Sequence, residues 1–276
     1  MMKIETAQLI FFSPTGTTKK NAEAIVSGMG LSRMTQTDLT LPPEPVPVFM
    51  KEKTPEADIV ILAAPVYSGR VPVLAEQRIR DLPACSGIPA VILAVYGNRH
   101  YDDALLELHD LATDRGMVPV GAAACIGEHS FATRETPIAM GRPDQADLKA
   151  AAEFGDKVID LLGRLDSVQK LKPVAVPGSR PYKERGSRSG IAPQIREDIC
   201  TRCGKCVDVC PARAISRQGS GLVTDAEKCI VCCACVKQCA PGARVMAHPK
   251  ILGAAERLMR TFNKPGAPEF FLPEGE

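Results

Sequence analysis

The sequence predicts a doubly wound α/β domain with a five-stranded parallel sheet, followed by a small α+β domain organised around cysteine. Four short apolar runs, residues 9–12, 59–64, 90–95 and 121–126, recur along the first half. Runs without polar alternation suit strands covered on both faces, hence a parallel sheet. Helical patterns lie between them, so strand and helix alternate over about 165 residues, the size of one domain. The second half is set apart by cysteine: nine of the eleven fall between Cys200 and Cys239.

In chain order, the first strand (9–12) runs into Ser13-Pro14-Thr15-Gly16-Thr17-Thr18 and then a helix, with Gly28 and Gly30 read as its cap. A Ser/Thr-rich turn feeding a helix N-terminus gathers free N–H groups, hydroxyls and the positive dipole end at one point, which suits a phosphate. The turn lacks the G-K-[ST] ending of a nucleotide P-loop and the G-x-G-x-x-G of a dinucleotide site. Residues 34–39 supply a weaker second strand. The third strand (59–64) leads into a loop with Pro65, Val66, Tyr67, Ser68, Gly69 and Arg70, and the fourth (90–95) into Tyr96, Gly97, Asn98, Arg99, His100 and Tyr101. Three of the four Tyr sit in these two loops, and there is no Trp. Leu105, Leu108, Leu111 and Ala112 mark a helix stopped by Gly116, with Asp102 as its expected cap. The fifth strand (121–126) opens a loop, residues 127–143, longer than a turn needs. Leu148, Ala151, Val158 and Leu162 mark the next helix.

Residues 167–190 carry three Pro, six Lys/Arg and one Glu, a stiffened connector. Three fates are open to it: packing along the first domain, attracting an acidic partner, or remaining a solvated tether. A helix over 250–262 and a tail over 263–276 follow, where Phe270 and Phe271 are expected to dock on a neighbouring surface. The expected division is 1–165, 166–190, 191–250 and 251–276.

The cysteines spell C-x2-C-x2-C-x3-C twice, as Cys200, Cys203, Cys206, Cys210 and as Cys229, Cys232, Cys235, Cys239, each copy 29 residues from the other. Three thiolates two residues apart let one tight loop wrap three iron corners of a cube, while the fourth, near a Pro, faces away. This is the ligand pattern of two [4Fe-4S] clusters, where zinc takes C-x2-C pairs. Cys85, Cys125 and Cys233 read as small buried thiols.

Net charge is +2, which gives no case for nucleic acid. No apolar run approaches the ~20 residues of a membrane span, and no secretory pattern opens the chain. A cytoplasmic protein is expected, since thiolates stay reduced there. Residues 191–250 hold nine Lys/Arg and five Asp/Glu, so that two loaded clusters, each about −2 with its thiolates, bring this segment close to neutral.

The first loop resembles the S/T-x-T-G-x-T phosphate loop of flavodoxins, over roughly residues 3–165, and the cysteine segment resembles two-cluster ferredoxins. Together the chain resembles flavodoxin-ferredoxin fusion proteins: a flavodoxin-like domain that binds FMN, then a ferredoxin-like domain. The resemblance implies FMN phosphate on Ser13, Thr15, Gly16, Thr17 and Thr18, and the flavin ring between the loops carrying Pro65, Val66, Tyr67, Gly69, Arg70 and Gly97, Asn98, Arg99, Tyr101, with Tyr67 and Tyr101 stacking. Arg70 and Arg99 lie near the flavin, face a partner or stay on the solvated surface, all three being open. The resemblance also implies crossed ligation, with Cys200, Cys203, Cys206 and Cys239 on one cluster and Cys229, Cys232, Cys235 and Cys210 on the other. The near-neutral charge, Ala240 before Pro241 and the long loop after the fifth strand depart from the pattern. His129 in that loop is either a proton donor to flavin or substrate, or a hydrogen-bonded structural residue.

Three functions fit. The leading one is electron relay between FMN and the two clusters and on to a redox partner protein, a second copy of the chain among the candidates. The others are an oxidoreductase whose clusters feed a substrate-reducing FMN, and an iron-sulfur sensor. Membrane insertion is not expected under any of them, and a substrate-specific enzyme is less expected than a carrier.

Overall fold

The computed structural model describes residues 2–42, 57–219 and 221–273; the end of the expected tail, 274–276, lies outside them. Five strands, β1 (Thr6–Phe11), β2 (Arg33–Asp38), β3 (Ile59–Pro65), β4 (Pro89–Tyr96) and β5 (Val118–Ile126), stand in the order β2-β1-β3-β4-β5. Every neighbouring pair among them is parallel. This is the flavodoxin-like doubly wound order, and it reverses at β1/β3.

Alternate strand residues feed two cores. Ile10, Val60, Leu62 and Ile92 face one, covered by α2 (Val73–Arg80) and α3 (Ala104–Asp114); Leu9, Ile59, Ile61 and Leu93 face the other, covered by α1 (Thr17–Gly28) and α4 (Gln145–Gly163). β3 and β4 are buried along almost their whole length, as continuous apolar runs require. β2, Arg-Met-Thr-Gln-Thr-Asp, is almost wholly exposed, and a polar edge of this kind discourages pairing with another chain. Gly28 and Gly30 divide the role expected of them. Gly30 takes the left-handed turn after α1 at φ 61°, whereas a Cβ on Gly28 would sit 1.8 Å from the Ala152 carbonyl oxygen of α4. Asp102 does not cap α3: Asp103 holds the N-cap position, and the Asp102 carboxylate pairs with Arg99 and with Lys183 Nζ.

The cysteine-rich domain pairs β6 (Gln194–Ile195) with β9 (Arg244–Val245), and β7 (Ile215–Gln218) with β8 (Gly221–Thr224). Two short helices, α5 (Lys205–Asp208) and α6 (Ala234–Lys237), contain Cys206 and Cys235. The 29-residue repeat is visible in the backbone. Arg202 and Val231 have φ of 56° and 55°, and the two helix N-caps, Gly204 and Cys233, are both left-handed.

Among the described residues the five expected parallel strands are joined by a sixth. After α7 (Pro249–Thr261), the tail adds β10 (Glu269–Phe271) antiparallel to β5, pairing Glu269, Phe270 and Phe271 with Ala124, Ala123 and Ala122. Phe270 stacks on Phe154 with centroids 4.8 Å apart, so the two Phe dock on the outer strand and close its edge. Among the described residues no helix is long and apolar enough to cross a membrane.

Of the three fates open to the connector, the structure shows packing along the first domain. The Asp103 carboxylate accepts the N–H groups of Ser179 and Lys183 at 2.8 and 2.6 Å, Arg180 forks onto Asp110, and Arg185 reaches Glu107 at 2.6 Å. The long loop after β5 owes its length to the domain interface. Its Phe131, Ala132 and Ile138 pack with Ile191, Val231, Cys233, Ile251 and Ala255, and Lys237 of α6 bonds Glu128 at 2.6 Å and the Ala132 carbonyl at 2.8 Å.

Candidate cofactor sites

At the carboxyl ends of β1, β3, β4 and β5 a solvent-open cleft of about 390 Å³ is lined by Thr15, Thr17 and Thr18, by Pro65, Val66 and Tyr67, by Tyr96 and Gly97, and by Gly127, Glu128, His129 and Ser130. The loop after β1 is held at both ends: Ser13 donates its N–H to Thr40 Oγ1, and Ser13 Oγ accepts from Lys19 N. Gly16 is the left-handed N-cap of α1, φ 86°. The N–H groups of Thr17 and Thr18, in the first turn, have no intrahelical acceptor by geometry and point the helix dipole at the cleft. Asn21, fully buried, donates Nδ2 to the carbonyls of Thr17 and Ile126, tying the loop after β5 to the same helix.

Several residues expected at the cleft are engaged elsewhere. Tyr101 is 1% exposed, lies edge-on to Tyr96 and donates its hydroxyl to Glu269, so it is a core residue under the tail strand and does not line the cleft. Arg70 is buried in a forked pair with Glu107 and lies over the Tyr182 ring. Asn98 clamps the tail, donating to the carbonyls of Phe262 and Lys264 and accepting from Gly266 N. Arg99 pairs with Asp102, and Gly69, φ 84°, makes the turn against Asp102. Ser13 and Gly16 shape the loop from behind. Tyr96, which closes the apolar run of β4, also lines the cleft, as do Glu128 and Ser130 of the loop after β5.

His129 accepts from Phe131 N through Nδ1 at 3.1 Å, which places its proton on Nε2. Burial, with the cations Arg188, Lys237 and Arg99 facing it, lowers its pKa from 6.5 to about 4. The ring is therefore neutral near pH 7, a hydrogen-bond donor rather than a charged acid. The unfolded chain takes up this proton near pH 6.5, before the folded one does, so the stability His129 contributes is complete above that pH and is lost as pH falls toward about 4. Thermal unfolding should show a steeper loss of midpoint across that interval in the wild type than in His129→Asn; equal slopes refute a buried neutral ring.

The cysteines sort into two apolar cavities of about 340 Å³ each. One is lined by Cys200, Cys203, Cys206 and Cys239, the other by Cys210, Cys229, Cys232 and Cys235 together with Cys233. Among the described residues no three His, Cys, Asp or Glu converge on a single-ion site; the thiols ring these larger spaces instead. Backbone N–H groups point at sulfur: Ala214 at Cys210 (3.3 Å), Val231 at Cys229 (3.4 Å) and Arg244 at Cys239 (3.4 Å). Such bonds stabilise thiolate and tune cluster potential. The Cys203 thiol is held below its usual pKa chiefly by the Lys205 N–H. In the second cavity Cys210, Cys232 and Cys235 are each 8% exposed, whereas Cys203 in the first is exposed. Cys233 lies in the interface core, 2% exposed, and burial pushes its thiol up to about 12. Cys85 and Cys125 are buried too.

Tyr67, which lines the cleft, is close enough to the second cysteine set to feel its charge. Burial pushes the Tyr67 phenol well above its ordinary pKa, and the thiols of Cys232, Cys233 and Cys229 push it in the same direction. Beside them Arg188 of the connector donates to Ser68 Oγ at 2.8 Å and lies over Phe131.

A family model described as "4Fe-4S dicluster domain" matches residues 192–240. A "Probable ferredoxin" of Methanosarcina thermophila is 52% identical over 31 residues, 11% of this chain and 53% of that protein, so the match spans about half the relative's length. Among solved structures, a flavodoxin from the domain Archaea is 16% identical over 58% of this chain and 99% of its own (TM-score 0.39). An NADH:FMN oxidoreductase is 17% identical over 57% and 88% (TM-score 0.43), and a flavodoxin of Streptococcus pneumonia is 17% identical over 56% and 98% (TM-score 0.38). The chain thus joins a flavodoxin-like strand order to a segment, residues 192–240, that matches a 4Fe-4S dicluster domain.

Proposed function

We propose that the chain is a cytoplasmic electron relay, binding FMN in the cleft and two [4Fe-4S] clusters in the cysteine cavities and passing electrons to a redox partner protein. The observation that carries the reading is Tyr67, whose ring lines the cleft while its phenol lies within the field of Cys229, Cys232 and Cys233. The two sites are therefore neighbours. FMN, when bound, exchanges electrons singly or in pairs, and each cluster exchanges one at a time.

The residues have separable roles. Thr15, Thr17, Thr18 and the α1 N–H groups bind the phosphate; Pro65, Val66, Tyr67 and Gly97 flank the ring; His129 offers Nε2–H as a donor. Cys200, Cys203, Cys206 and Cys239 hold one cluster, and Cys210, Cys229, Cys232 and Cys235 the other.

The test is flavin, iron and sulfide content with visible spectra on anaerobically prepared protein, then transfer to protein acceptors. The Gly16→Ala variant isolates the phosphate loop. The added Cβ meets nothing within 4 Å, so the cost is backbone strain of about 1–2 kcal/mol, read as roughly tenfold weaker FMN binding. Unchanged flavin affinity refutes the phosphate loop, and protein devoid of flavin and sulfide refutes the relay.

A further inference from the structure

Arg244 is an anomaly in the cysteine-rich domain. It is 3% exposed, yet both Nε and Nη2 are buried without a partner. Only its Nη1 is held, donating to the Pro193 carbonyl at 3.2 Å and to Thr224 Oγ1 at 2.9 Å. Pro193 and Thr224 line the Cys210/Cys229/Cys232/Cys235 cavity, while Arg244 itself lines the Cys200/Cys203/Cys206/Cys239 cavity. The guanidinium therefore lies between the two.

Folding does not require a cation here. The 29-residue repeat places Ile215 at the equivalent position of the first half, and that side chain is buried at 5% exposure. A buried guanidinium with two unmet donors is costly unless something anionic offsets it, and each loaded cavity is anionic: a cluster with four thiolates carries about −2 before reduction and one charge more after it.

We propose that Arg244 is a cation shared by the two clusters, its free Nε–H and Nη2 donating to cluster or thiolate sulfur, and that it raises the reduction potential of both. The proposal rests on the cluster assignment made above. When one electron arrives from FMN or a protein donor, the added negative charge forms beside this fixed positive one, with no proton needed to balance it. The reduced form therefore gains more from Arg244 than the oxidised form does.

The experiment compares wild type with Arg244→Met and Arg244→Lys, all prepared anaerobically. Iron and sulfide content reads cluster assembly; two clusters missing from the wild type would sink the assignment and this inference with it, a result distinct from loaded protein with unchanged midpoints. With both clusters loaded, an EPR-monitored redox titration should find both midpoints of Arg244→Met lowered. A tenfold rise in the oxidised-to-reduced ratio corresponds to about 59 mV for a one-electron couple, and Arg244→Lys should fall by less. Midpoints equal to wild type in a fully loaded Met variant overturn the proposal. If the Met variant does not assemble, pulsed EPR on reduced protein labelled with 15N-arginine decides. An arginine nitrogen coupling present in wild type and lost in Arg244→Lys supports the contact, and a coupling absent from wild type or retained in the Lys variant overturns it.

Discussion

Replacing Cys239 with Ala is expected to remove one cluster, and the one lost is that of the first cysteine motif, although Cys239 belongs in sequence to the second. Cys239 shares its cavity with Cys200, Cys203 and Cys206, and Cys210 shares the other with Cys229, Cys232 and Cys235. The physical cause is the short spacing. A helix begins within each motif, α5 carrying Cys206 and α6 carrying Cys235, and the fourth thiol lies beyond its end, turned toward the neighbouring half. A cube holding three ligands of four is labile, so iron should fall to roughly half in Cys239→Ala, two clusters with four Cys each being the full load. The surviving signal should be the buried one, slow to react with ferricyanide, since Cys210, Cys232 and Cys235 are each 8% exposed. Cys210→Ala should leave the opposite and more exposed cluster. EPR of the reduced variants distinguishes the cases: survival of the first-motif cluster in Cys239→Ala would defeat the crossed ligation.

How much of this is legible in sequence depends on whether the governing contacts are local. β1, β3, β4 and β5 are legible because a strand buried on both faces must be apolar throughout, and β2 is faint because an edge strand need not be. The tail strand is not legible: Phe270 and Phe271 announce only that something is covered, and the pairing is set by the Ala-rich stretch of β5 far upstream. In the cleft, Thr15, Thr17, Thr18, Pro65, Val66, Tyr67, Gly97 and His129 come together because a doubly wound sheet places the loops after its strands at one end. Arg70, Asn98, Arg99 and Tyr101 lie in the same loops, but each answers to a partner that the loop itself does not reveal: Glu107, the chain at 262–266, Asp102 and Glu269. The connector shows the same limit. Its charge of +5 is plain in sequence, while the carboxylates that receive it, Asp102, Asp110, Glu76 and Glu107, are spread over α2, α3 and the loop between β4 and α3.

Those carboxylates are unequal, and Glu107→Ala is expected to be the most damaging single change away from the cofactor sites. Glu107 is 2% exposed and accepts from Arg70 Nε at 2.7 Å, Arg70 Nη2 at 2.8 Å, Val71 N at 2.8 Å and Arg185 Nη2 at 2.6 Å. Removing it leaves Arg70, 8% exposed, with only the Lys183 carbonyl to satisfy its guanidinium. Breaking a buried pair from one side costs about 3–5 kcal/mol, because the surviving charge is stranded. At roughly 2–4 °C per kcal/mol for a domain of this size, the unfolding midpoint should fall by about 10 °C. Arg185 loses one of its two carboxylates at the same time and keeps only Glu76 at 2.6 Å, so the connector should become more sensitive to trypsin near residues 183–188, a change that cavity formation alone would not produce. Replacing both partners, Arg70→Met with Glu107→Leu, should recover much of the lost stability, since apolar groups of similar volume carry no desolvation penalty. It should not restore the connector's resistance to protease, because Arg185 still lacks the Glu107 carboxylate. A single variant as stable as wild type would show that the pair is not buried, and a double variant resistant to trypsin would show that Glu107 does not anchor the connector.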